Sequence, residues 1–216
     1  MKDLLRKELS LNLSPNIIIF MCLGPIMMLI PNYPRYVGFY YVCISICLIF
    51  SNSLINKDMV YTACLPVRKS DVVKARFLLI ALLELVEAII CVPFGILANS
   101  LMPQGNAAGI DTNVAFYGLL FIVDSLFNLF FLAPCYRKPE KPYWPLLYGS
   151  IAFWTGFVFA ELPIWMGTPL GRWLKGTSPA AQLSQLPLLG AGLLVWVLIL
   201  LGSYRLSVRA FEKVDL

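Results

Sequence analysis

The sequence predicts an all-α integral membrane protein with six transmembrane helices, an N-terminal interfacial helix and a short cytosolic helix between spans two and three. The 216 residues are 59% hydrophobic and only 13% charged, whereas soluble domains are about half apolar and about a quarter charged. Mean hydropathy is +0.77, and long apolar runs alternate with short polar segments. Because so little polar surface is available, we expect residues 1–216 to form a single membrane domain.

The first 13 residues predict a helix that lies in the membrane interface. On a helical projection Leu5 and Leu9 fall on one face, whereas Arg6 and Lys7 fall on the other, a pattern typical of interfacial helices. A solvated start to the first span is the alternative. Ser14 followed by a proline then predicts an N-cap and the beginning of a second helix.

Six apolar segments are candidates for membrane spans, since about 20 residues cross a bilayer. The predicted spans are residues 16–30, 36–55, 77–98, 112–134, 143–165 and 186–206. The first is short and contains Pro25, so we expect it to extend into the following turn. Between the last two spans, Trp173 and Leu174 predict a segment that dips back into the membrane edge.

The distribution of basic residues predicts the orientation. With six spans, the N-terminus, the second and fourth loops and the C-terminal tail share one side, and these segments hold 14 of the 17 Lys and Arg residues. The other side holds Arg35, Arg172 and Lys175. By the positive-inside rule the first side is cytoplasmic, so we expect a multi-pass protein with both termini in the cytoplasm.

A polar segment, residues 56–76, separates the second and third spans and carries five basic residues. Met59, Val60 and Ala63 recur at helical spacing and predict a short amphipathic helix, which Leu65-Pro66 would end. Ser70 is then the predicted N-cap of a helix that runs directly into the third span. The alternative is a solvated loop that only follows the positive-inside rule.

Four acidic residues fall within the predicted spans. Glu84 and Glu87 share a helix face, and an ionised carboxylate at the bilayer centre costs on the order of 3 kcal/mol, so both should face protein or water. On the functional interpretation, the two glutamates line a pathway for cationic or lipid-like cargo or form a polar contact between subunits. The alternative is a buried structural pair bonded to a neighbour such as Asn128. Asp124 is more typical of a structural acid, and Glu161 is expected to be wetted at the outer interface.

Several kinds of site are disfavoured by composition. Histidine is absent, which excludes His-based zinc sites and Ser-His-Asp or Cys-His nucleophile systems. The six cysteines form no CxxC pair, so we expect reduced thiols and no metal site. No GxxxxGK[ST] phosphate loop occurs, and the chain is therefore predicted not to be an enzyme, with no catalytic residue and no cofactor of its own.

Residues 31–95 resemble the small bacterial permeases of the ABC-2 type transporter family, in particular those of antimicrobial-peptide and cytolytic-peptide exporters. The resemblance rests on PNYP at 31–34, NKD at 56–58, LPVRKSDVVKAR at 65–76 and LLELVEA at 82–88. It implies a cytosolic coupling helix within residues 56–70 and a dimer of permeases, each bound to a separate ATPase that holds ATP and Mg. The residues that the resemblance places at the ATPase contact are Asn56, Lys57, Asp58, Met59, Tyr61, Leu65, Pro66, Arg68, Lys69 and Asp71.

These observations lead to one predicted function and one alternative. The prediction is a permease subunit of an ATP-driven exporter in the bacterial cytoplasmic membrane, which moves a peptide or an amphipathic, lipid-like substrate. It pairs with a second copy or with a sister permease. The alternative is an ion- or proton-coupled carrier that uses Glu84, Glu87 and Asp124; it requires no ATPase and gives no reason for the patterned segment 56–76.

Overall fold

The computed structural model describes residues 2–63 and 67–213, and each regular element in those ranges is an α-helix. The helices are α1 Lys2–Asn12, α2 Pro15–Met27, α3 Tyr36–Ile55, α4 Asp58–Ala63, α5 Lys69–Leu101, α6 Val114–Arg137, α7 Tyr143–Trp165, α8 Pro169–Leu174 and α9 Pro179–Glu212. The all-helical prediction is confirmed for these ranges. The predicted helix end at Leu65 and Pro66 lies outside the described residues.

By length and composition, five described helices could cross a membrane: α3, α5, α6, α7 and α9. A sixth span is obtained only if α1 and α2, which meet at an 81° bend, are counted as one. The 13 residues of α2 extend about 20 Å, short of the roughly 30 Å hydrocarbon core. The sequence predicts a first span over residues 16–30 with an extension into the following turn; instead α2 ends at Met27 and turns follow.

The start of α5 differs from the prediction. Arg68, in an extended conformation, is the N-cap, and no side chain caps the helix; Ser70 instead lies within the first turn. From Lys69 the helix continues for 33 residues to Leu101, about 50 Å at 1.5 Å per residue. One uninterrupted helix therefore joins the polar segment to the third predicted span.

Helix α6 is the centre of the bundle. It runs parallel to α9, as the ring contacts Phe121–Trp196 and Tyr136–Phe211 show at successive levels. Gly118 on α6 permits close approach, since a Cβ there would lie 2.8 Å from the Leu188 backbone, and a Cβ on Gly192 would overlap the Gly118 carbonyl. Small residues at such crossings let helix backbones pack tightly.

Ring contacts also give the directions of α3 and α5 relative to α6. Helix α3 is parallel to α6, with Phe50 against Phe131 at 5.4 Å. Helix α5 is antiparallel, because Phe77 near its start stacks on Tyr136 near the end of α6. The ends of α3, α6 and α9 and the starts of α5 and α7 thus lie at one end of the bundle, which we call the basic end. The short α8 buries Leu174 and leaves Trp173 36% exposed.

Candidate functional site

The short helix α4 lies at the basic end and follows directly on α3. Lys57 at the junction has a φ of +51°, a left-handed conformation that is uncommon for residues other than glycine and marks a turn. Asn56 and Lys57 are exposed, and the Tyr61 ring is 65% exposed. One side of this corner is therefore free for another molecule.

Asp58, the first residue of α4, points the other way, into a buried network of ion pairs. Its carboxylate lies 2.5 Å from Lys7 Nζ of α1 and 2.9 Å from Arg76 Nη2 of α5. The Arg76 guanidinium also bonds both carboxylate oxygens of Glu8, at 3.0 and 3.2 Å. Asp58, Glu8 and Arg76 are each at most 4% exposed, so the network joins α1, α4 and α5 beneath the surface.

The electrostatics of this network favour the charged form of Asp58. Burial by itself would raise the pKa of the Asp58 carboxyl. The hydrogen bond from Lys7 and the charges of Arg76 and Lys7 outweigh it, so the pKa lies below its ordinary value. Thr62 completes the network by donating to the Asp58 backbone carbonyl at 2.7 Å and accepting from Lys7.

Sequence reasoning missed Glu8 and Arg76 as functional residues. A signal for Glu8 was present, because it follows Leu4 by four residues and Leu5 by three, and therefore lies on the apolar side of the predicted amphipathic helix. Asn12, one turn further, donates to Glu8 at 2.8 Å. The sequence around Arg76 indicates only a basic residue of the polar segment, because its burial depends on helices α1 and α4 packing against it.

The remaining residues predicted to contact an ATPase divide by exposure. Arg68 is exposed, and Lys69 and Asp71 are half-buried. The Lys69 ammonium lies 3.5 Å from the Phe211 carbonyl of α9 and 5.7 Å from the Phe211 ring. Met59 belongs to α4, and Leu65 and Pro66 lie outside the described residues.

A second polar cluster lies in the middle of the bundle. Glu84 is 2% exposed and accepts two hydrogen bonds, from Asn128 Nδ2 at 2.8 Å and Trp196 Nε1 at 2.7 Å. It thereby connects α5 with both α6 and α9. The bond to Asn128 is the contact that the structural alternative for Glu84 requires.

Glu87 and Asp124 are less well bonded than Glu84. Glu87 is fully buried, its Oε2 has no hydrogen-bond partner among the described residues, and its Oε1 receives only a 3.9 Å contact from Cys91. Asp124 is 4% exposed, and its Oδ1 is likewise unpartnered within residues 2–63 and 67–213. Unsatisfied buried polar atoms are rare in folded proteins and call for an explanation.

Glu161 does not occupy the wetted position that the sequence predicts. Its side chain is 1% exposed, and both carboxylate oxygens accept the Ile110 backbone N–H, at 3.1 and 3.2 Å. The reason is the loop before α6, which folds over the end of α7 and covers the carboxylate. Glu161 therefore holds this loop in place at the end opposite the basic one.

No group of three or more Cys, Asp or Glu residues suited to a metal ion occurs among the described residues. In comparison with known proteins, the model of the family described as ABC-2 family transporter protein matches residues 3–212. No curated protein and no solved structure matched the chain. The match includes both polar clusters and every long helix.

Proposed function

Because the chain belongs to the ABC-2 family of transporter proteins, a family of membrane permease components, we propose that it is the permease subunit of an ATP-driven exporter. A separate ATPase subunit supplies ATP hydrolysis. The match over residues 3–212 carries this proposal. The alternative of an ion-coupled carrier has no comparable support.

The proposed ATPase contact is the exposed side of the corner between α3 and α5. It comprises Asn56, Lys57, Tyr61 and Arg68, three of them polar or basic and one aromatic, which suits a polar surface on a soluble partner. Asp58, by contrast, supports the contact from beneath. We therefore assign Asp58 a positioning role rather than a direct contact with the partner.

Coupling follows from the attachments of α4. A displacement of α4 acts through Asp58 on Arg76, and Arg76 lies on the helix that continues to Leu101. Buried ion pairs with good geometry resist separation, because an unpaired buried charge is costly. Closure of an ATPase dimer would thus move α4, α5 and α1 as a unit and shift the permease between two access states.

The proposed cargo is a peptide or an amphipathic, lipid-like molecule, moved across the bacterial cytoplasmic membrane by a pair of permeases. Glu84 already has partners for both oxygens and is assigned to structure. Glu87 and Asp124 keep an unpartnered oxygen among the described residues. They are the acids that a cationic cargo group would approach when the bundle opens.

Affinity purification from host membranes tests the proposal. The expected result is an ATP-binding subunit that co-purifies with the chain and whose hydrolysis supports transport, and the double variant K57E/R68E should lose it. The control K138E/K141E reverses two exposed charges outside the proposed contact and should retain the ATPase. Transport that continues without any ATPase and follows the proton gradient would instead establish the carrier.

A further inference from the structure

A shallow pocket of about 410 Å³ opens at the basic end, where α6 passes into α7. Arg137, Lys138 and Lys141 line it together with the rings of Trp144 and Tyr148. All five side chains are exposed. The pocket therefore combines three cations with two aromatic rings at the level where the helices end.

A second pocket of about 400 Å³ shares Arg137 and adds Arg209 and Lys213 from the end of α9. We call the two together the basic double pocket, lined by the cations Arg137, Lys138, Lys141, Arg209 and Lys213. Ion pairs found within residues 2–63 and 67–213 involve Lys7 and Arg76 and none of these five. Glu140 and Glu212, the nearby acids in the sequence, are exposed. The pocket thus has a positive potential available to an anion.

The surface continues from the basic double pocket into an apolar stripe along α7. Leu147, Ile151, Val158 and Leu162 are each at least 40% exposed, and their spacing places them on one helix face. Aromatic residues such as Trp144 mark the boundary between headgroups and hydrocarbon in membrane proteins. A ligand that fits has an anionic head and apolar chains.

We propose that the basic double pocket binds the phosphate of an anionic phospholipid, whose acyl chains lie along the exposed face of α7. Basic pockets at the membrane face are suited to such headgroups, and the apolar stripe favours a lipid over an acidic surface of a soluble partner. The bound headgroup bridges the α6–α7 loop and the end of α9. This inference does not depend on the proposed transport role.

Native mass spectrometry of the purified chain in a neutral detergent tests the site. Phosphatidylglycerol, phosphatidylcholine and inorganic phosphate are titrated separately against wild type and against R137Q/K138Q/K141Q. Each cation contributes about fivefold to lipid affinity, so the triple variant should bind phosphatidylglycerol roughly 100-fold more weakly. The matched control R6Q/K57Q/K74Q removes three exposed cations elsewhere at the basic end and should change affinity by less than about fivefold.

Four results would overturn the inference. The first is equal affinity of the wild type for phosphatidylcholine and phosphatidylglycerol, and the second is an equal loss of lipid affinity in the triple variant and its control. The third is displacement of the lipid by inorganic phosphate at equal concentration. The fourth is a triple variant that no longer co-purifies with a partner ATPase although its lipid affinity is unchanged. If the triple variant does not fold, K138Q/K141Q replaces it, with an expected loss of roughly 25-fold.

Discussion

Arg76 shows how one buried cation organises the basic end of the molecule. Its guanidinium donates to the carboxylates of Glu8 and Asp58 and lies 5.4 Å from the centre of the Phe50 ring. Helices α1, α3 and α4 thus meet at this side chain of α5. Its contribution is to hold the exposed corner at α4 in a fixed position relative to α5.

Substitution of Arg76 by Gln is expected to be strongly destabilising. It leaves two buried carboxylates without their shared cation, and such losses cost about 3–5 kcal/mol. Lys74→Gln, an exposed change two residues earlier, should stay within about 0.5 kcal/mol. Thermal unfolding in detergent measures both, and equal melting temperatures would show that the network contributes nothing to stability.

Acid should weaken the same network through Asp58. Its pKa is lower in the folded protein than the unfolded value of about 3.9. The stabilisation is therefore present above about pH 4 and is lost as the pH falls through the folded-state pKa. Between pH 5 and pH 3, the melting temperature of the wild type should decrease more than that of Asp58→Asn. Asp71→Asn serves as the control and should follow wild type; a wild-type acid response in Asp58→Asn would contradict the assignment.

At the scale of elements, the crossing of α6 and α9 depends on a pair of glycines. A Cβ at Gly192 would overlap the backbone carbonyl of Gly118, whereas a Cβ at Gly202 would meet nothing within 4 Å. Gly192 and Gly202 both lie within α9 and have the same helical backbone, but only Gly192 packs against another helix. This difference separates packing from helix propensity.

Gly192→Ala should therefore destabilise the bundle, by about 1–3 kcal/mol from overpacking. Gly202→Ala should be neutral or stabilising by up to about 1 kcal/mol, because alanine favours helix. Melting temperatures of the two variants in one detergent give the comparison. A stabilising Gly192→Ala would mean that α6 and α9 do not approach each other this closely.

The continuity of α5 carries the proposed coupling between the ATPase contact and the membrane. Lys74 and Leu78 are exposed positions one turn apart on this helix. Substitution of both by glycine should soften the helix, at about 1 kcal/mol per position. We expect ATPase binding to persist while ATP-driven transport falls several-fold, whereas the double alanine control keeps both. Unchanged transport in the glycine variant would argue against transmission through α5.

At the scale of the whole molecule, the helices differ in how much of their surface the bundle covers. The most apolar stretch of α6 is 61% buried, whereas those of α7 and α9 are each 22% buried. Helix α6 is thus enclosed, and α7 and α9 present broad apolar faces outward. These faces are available to lipid or to the second permease of the proposed pair.

The orientation of the molecule is tested by single cysteines in a cysteine-free background. Lys57→Cys lies at the basic end and Gln104→Cys in the loop at the opposite end. By the positive-inside rule, an impermeant thiol reagent added to intact cells should label position 104 and not position 57. The reverse pattern would place the proposed ATPase contact outside the cell.

The sequence by itself determined the fold class, the membrane location and four of the long helices almost to their ends. These properties follow from composition and from the length of apolar runs, which are local quantities. The start of the chain was less determined, because α1 and α2 are short and their bend leaves the span count at five or six.

Only the tertiary structure decided which polar residues face inward. Asp58 and Tyr61 belong to the same predicted amphipathic helix, yet one is 4% and the other 65% exposed. The partner that buries Asp58 is Arg76, 18 residues away, and the partner of Arg76 is Glu8, 68 residues away. Because such pairings depend on how distant helices pack, no local pattern specifies them. The same reason explains why Glu161 was predicted at the wet interface and is enclosed by a loop.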